Sequence, residues 1–127
     1  MKQRKTKYRT WDKENKVMIT FNNMERCDVS FYEMARGEYG FILMQYTGLK
    51  DKSGKEIYEG DIVKVVNKKE KKAEHMQGTG VVGFNTNELT FGWSKTIEGR
   101  PYQMLTWGGT ESVEIIGNIY ENKDLLK

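Results

Sequence analysis

Four places in the chain carry residue types that could do chemistry. His75 is the only histidine, and no cysteine lies near it. A metal site or a His-based triad needs partners that exist here only as scattered carboxylates, so His75 reads as an ordinary exposed side chain. Cys27, the only cysteine, follows Arg26, whose charge favours the thiolate. A nucleophile still needs a base, however, and the sole histidine stands far along the chain. Glu59 and Asp61 flank Gly60 at a spacing an acid/base pair could use. The same residues accept backbone N–H bonds where a turn feeds a strand, and that structural role is the better reading. Gly78-Thr79-Gly80 is too short for a phosphate loop and lacks the Gly-Lys-Ser/Thr ending. No cofactor is expected, and the residues point away from an enzyme.

The elements around these residues are more informative. Asp51-Lys52-Ser53-Gly54 has Asp at the first position of a turn and Gly where φ turns positive, which closes a short hairpin. Glu59-Gly60-Asp61 is a second reversal and feeds the β-branched run Ile62-Val63-Lys64-Val65-Val66. A turn followed by Gly-Asp-Ile-Val is how the first long strand of many SH3-like barrels begins. Upstream, residues 7–21 form a hairpin with Asp12-Lys13-Glu14-Asn15-Lys16 as its turn. Asn15 takes the place of Gly54 there, because Asn tolerates the left-handed conformation. Ser30-Phe31-Tyr32-Glu33 fits a capping box and Gly37 ends the short helix it starts. Residues 39–47 then form a strand that is apolar on both faces.

Downstream, Asn67 to Gly80 is a long polar connection. Residues 81–84 and 88–93 pair around Asn85-Thr86-Asn87, with Leu89, Phe91 and Trp93 on one buried face. Strands at Tyr102–Trp107 and Val113–Tyr120 follow, the Gly108-Gly109 turn between them, and Glu121–Lys127 makes a last helical turn. The expected fold is mainly β: an antiparallel SH3-like barrel or sandwich with at most one or two short helices. Residues 1–56 are the N-terminal hairpin module and residues 57–127 the barrel.

Charge is unevenly spread over the 127 residues, whose formal net charge is +3. Residues 1–83 hold 17 basic and 12 acidic side chains, a surplus of five; residues 84–127 hold 4 and 6, a deficit of two. A basic face built from Lys68, Lys69, Lys71 and Lys72, with Arg4, Lys5 and Lys7, is the nucleic-acid-binding alternative. Trp93, Tyr102 and Trp107 are candidates for an aromatic contact face. Strand edges, aromatics and methionines around a small core favour a homo-oligomer. One cysteine fits a reducing compartment. No apolar run reaches the roughly 20 residues of a membrane helix, and the basic N-terminus lacks the apolar segment of a secretory signal.

Three blocks carry a family resemblance. Gln45 to Asp51 with Ile57 to Val63 resembles the central block of the YopX family; Tyr8 to Asn15 resembles its opening, and Ile115 to Asn122 its ending. The family is found in bacteriophages and prophages and has no assigned activity, so the resemblance implies no site residues. It implies a phage or prophage setting; with the single cysteine and no secretory signal the expected address is the cytoplasm of the bacterial host, and the residues themselves leave a second copy of the chain, nucleic acid, or a host or phage protein as expected partners. A toxin-like endoribonuclease using Glu59, Asp61 or Arg100 is the enzymatic alternative.

Overall fold

The computed structural model describes residues 5–66, 77–97, 103–104 and 112–126. The fold is mainly β, with two antiparallel sheets and two short helices, in the strand orders β2-β1-β3-β4 and β8-β7-β6-β5-β9. The strands are β1 (Tyr8–Asp12), β2 (Val17–Ile19), β3 (Phe41–Lys50), β4 (Glu56–Tyr58), β5 (Asp61–Val65), β6 (Gly78–Asn85), β7 (Thr90–Ser94), β8 (Gln103–Met104) and β9 (Val113–Asn118). The helices are α1 (Phe21–Met24) and α2 (Phe31–Ala35). The chain forms two compact units that divide within β3, between Tyr46 and Thr47, where the sequence reading put the division at 56/57.

In the first unit, β1 lies between β2 and the first half of β3, with Thr10 opposite both Ile19 and Leu43. Asp12 closes the β1–β2 hairpin by accepting the N–H groups of Glu14 and Asn15 on Oδ1, at 3.0 and 3.2 Å. The left-handed residue of this turn is Lys16, at φ 55°, and not Asn15. Asn15 instead donates its side-chain amide to Asp12 Oδ2 at 2.8 Å, which ties it back to the residue that opens the turn. Ser30 and Glu33 form the reciprocal capping box that starts α2, and Gly37 follows the helix in the left-handed region. Met24, Met34 and Phe41 form a buried cluster in this unit, with Tyr8, Ile19, Cys27, Val29 and Leu43 packed against it, and Trp11, Met44 and Tyr46 are buried as well.

In the second unit, β6 pairs with β5 and β7, while β5 also pairs with β9. A register shift between Ile62 and Val63 leaves Ile116 as an extra residue on β9. The core is Ile57, Val63, Val65, Val82, Trp93 and Val113, with Leu49 and Ile115 against it. Gly78-Thr79-Gly80, expected in the connection, belongs to β6 and pairs with Val63 to Val65. A side chain at Gly80 would meet the Ser94 carbonyl and the Trp93 ring, so glycine here serves close strand approach. Leu89, expected on a buried face, is 77% exposed: it is the left-handed residue of the β6–β7 turn, at φ 53°. The expected strand at 102–107 is described only at its two residues of β8.

The Asp51 turn ties this unit together. Its Oδ1 accepts the N–H groups of Ser53 and Lys55, both at 2.9 Å, while its Oδ2 accepts that of Ile115 at 3.0 Å. The Lys52 N–H reaches the Val113 carbonyl at 2.9 Å, so the turn occupies part of the β9 edge. Gly54 supplies the positive φ, 85°, that the turn requires.

Candidate functional site

The described residues hold an open groove of about 540 Å³ in the first unit, between α1 and α2. Its apolar lining comes from Phe21, Met24, Cys27, Val29, Phe31 and Met34. The local sequence explains the arrangement. Phe21 and Met24 stand three apart on α1, as Phe31 and Met34 do on α2, so each pair shares one helix face. In each pair the methionine turns into the core and the phenylalanine stays near the surface: Met24 and Met34 are buried, while Phe21 and Phe31 are 43% and 41% exposed. Phe31 is steadied by an edge-to-face contact with Tyr8, at 5.1 Å between centroids. Tyr32 meets Phe31 at 6.2 Å and is itself 73% exposed.

Every charged residue lining the groove is acidic: Glu25, Asp28 and Glu33. Glu33 is held by the cap. Its Oε1 accepts the Ser30 N–H at 3.0 Å, and its own N–H donates to Ser30 Oγ at 3.2 Å. Those bonds, with one from the Tyr39 side chain and the nearby Arg36 charge, keep its carboxyl below the usual range against the opposing effect of burial. Tyr39 is 67% exposed and left-handed, at φ 56°. A bulky aromatic rarely adopts that backbone.

The residues singled out from sequence fall elsewhere. Lys5 is exposed, and Lys7 is half-buried with its ammonium 6.0 Å from the centre of the Tyr46 ring. Arg4, Lys68, Lys69, Lys71, Lys72, His75, Arg100, Tyr102 and Trp107 lie outside the described residues. Trp93 does not belong to a contact face: it is 1% exposed, at the centre of the second unit's core. Its bulk is accommodated by the missing side chain at Gly80. Asp61 is buried and its Oδ2 accepts the Tyr58 N–H at 2.8 Å, which is the turn-ordering role expected of it. Among the described residues, no three His, Cys, Asp or Glu side chains are placed to hold a metal ion. Nor is any helix there long and apolar enough to cross a membrane.

Cys27 alone links the sequence candidates to the groove. It is half-buried in the lining, with its Sγ 3.9 Å from the Asn23 carbonyl. The groove itself was not anticipated, because helices of four and five residues carry no sustained apolar stripe. The signal that could have found it is the repeated Phe-x-x-Met, at 21–24 and 31–34.

Comparison with known proteins agrees with this architecture. A crystal structure of an Enterococcus faecalis protein is similar at a TM-score of 0.58 and 25% identity, covering 98% of this chain and 100% of that one. The crystal structure of yopX from Bacillus subtilis is similar at 0.50 and 18% identity, with the same coverages, and shares the fold. No curated protein matches the chain. The family described as YopX protein matches residues 7–127, which include all three blocks noted above, and the chain belongs to that family.

Proposed function

We propose that this YopX-family chain is a non-enzymatic binding protein whose working surface is the α1–α2 face of its first unit. The observation that carries the reading is the groove, where apolar side chains that could have closed over the core instead stay open to solvent. Phe21, Phe31, Tyr32 and Tyr39 are all more than two-fifths exposed within 19 residues of sequence. Large apolar groups grouped on one face mark interaction sites, whereas singly scattered ones do not. The resemblance supports a phage or prophage setting in the cytoplasm of a bacterial host. Self-association is a further part of the proposal, supported by β2, a short strand that ends its sheet and carries the half-exposed Val17.

The test is affinity capture from phage-infected or lysogenic cells, with nuclease treatment as a control, comparing the chain with its Phe21→Asp variant. A nuclease-resistant protein partner lost on substitution is the expected result. Capture that is equal for both chains, or that nuclease abolishes, contradicts it. Sedimentation that shows a monomer at high concentration removes the self-association part alone.

A further inference from the structure

We propose that the α1–α2 groove takes a cationic polypeptide segment anchored by apolar side chains. The inference rests on the binding reading above and adds the chemistry of the partner. The groove's volume, about 540 Å³, lies within the roughly 300–1,000 Å³ typical of ligand clefts. Its floor is Met24 and Met34, whose unbranched side chains adapt to whatever shape is inserted. The exposed Tyr32 ring, 6.2 Å from that of Phe31, extends the apolar surface beyond the groove, and the exposed Tyr39 bonds the groove's Glu33, which suits a segment of chain better than a small molecule.

Charge selects the segment. The chain as a whole is basic, yet no Lys or Arg lines the groove while three carboxylates do. Glu33 is spent on the helix cap, but Glu25 and Asp28 are exposed and their carboxylates make no hydrogen bond or ion pair among the described residues. Carboxylates beside aromatic rings attract ammonium and guanidinium groups and repel phosphate. The same face is therefore unsuited to a nucleic-acid backbone, whose neutralisation needs Lys and Arg.

The experiment uses the full chain and fluorescein-labelled synthetic peptides that share one set of Leu and Phe positions. Their remaining positions are filled with Lys and Arg in one peptide and with Glu in the other, and binding is followed by anisotropy. The basic peptide should bind about ten-fold more tightly than the acidic one. The Glu25→Lys/Asp28→Lys variant should lose about that ten-fold, and its melting temperature should hold because both side chains are exposed. Phe21→Asp should weaken both peptides and supplies a second variant at an exposed position. Equal binding of the two peptides, binding of neither, or binding indifferent to the charge reversal overturns the proposal. So does self-association that Phe21→Asp abolishes, which assigns the groove to a second copy of the chain. If neither peptide binds while cellular capture still depends on Phe21, the binding reading stands and only the charge assignment fails.

Discussion

Among the described residues four buried Asp or Asn side chains open turns, and the choice between acid and amide follows from how many oxygens each turn uses. Asp12 and Asp51 accept on both carboxylate oxygens. Asn85 and Asn118 accept backbone N–H groups on one oxygen only, and Asn118 uses its amide to donate to Glu121 at 3.1 Å. Asp51→Asn would therefore turn an N–H group toward the N–H of Ile115, leaving a donor unpaired at a cost of about 1–3 kcal/mol. Asp12→Asn should cost less, since the Asn15 amide can rotate to present its oxygen instead. Urea denaturation of the two variants checks the order.

The same carboxyl sets an acid limit. Burial alone would raise the Asp51 pKa, but N–H donors from Ile115, Lys55 and Ser53 and the Lys55 charge outweigh it and hold the pKa low. A folded-state pKa below the unfolded one stabilises fully above the ordinary carboxylate value, about 3.9, and the benefit is lost as pH falls through the folded value. Melting temperature should thus drop below about pH 4, and Asp51→Asn should flatten that limb. Tyr39 is the opposite case, a residue whose backbone geometry opposes stability. Left-handed geometry costs a non-glycine residue about 1–2 kcal/mol. Tyr39→Gly should leave the melting temperature level or higher despite losing the bond to Glu33, while partner capture falls.

At the scale of the element, α2 depends on its N-terminal cap, whereas α1 has no side-chain cap bond. An α2 of five residues is too short to persist on propensity, so its cap and its packing define it. Ser30→Ala should cost about 1 kcal/mol in chemical denaturation and loosen Phe31 at the groove. This cap and the Asp51–Gly54 turn could be read in the sequence because the bonds that close them join residues within five positions; the bond from Asp51 to Ile115 could not. Leu89 and Gly80 could not. Alternation at 88–93 resembles a strand whether or not its first residues lie in a turn. Gly-Thr-Gly reads as punctuation until Trp93 is known to lie across from it. Gly80→Ala should destabilise by about 1–3 kcal/mol, because the Ser94 backbone and a packed indole cannot yield cheaply. A shift in thermal midpoint measures it.

Across the whole molecule, the two units differ in how they bury their apolar side chains. The second holds the larger apolar core, closed around Trp93, with Asp51 joining a turn to a strand 64 residues away. The first holds a smaller cluster of Met24, Met34 and Phe41, and it leaves phenylalanines beside that cluster in contact with solvent. Fold class and the capping box of α2 followed from turn and cap residues. The groove did not, because it depends on how two separate short helices face one another. The charge pattern pointed to lysine clusters, whereas the groove is marked by carboxylates at three scattered positions. Cys27, the single cysteine, lines that groove and gives a direct test. A benzophenone photocrosslinker attached there, irradiated in nuclease-treated extract of lysogenic cells, should join the chain to a distinct protein partner, and excess basic peptide should suppress the adduct. A crosslink only to nucleic acid before nuclease treatment, or no adduct at all, would contradict the account.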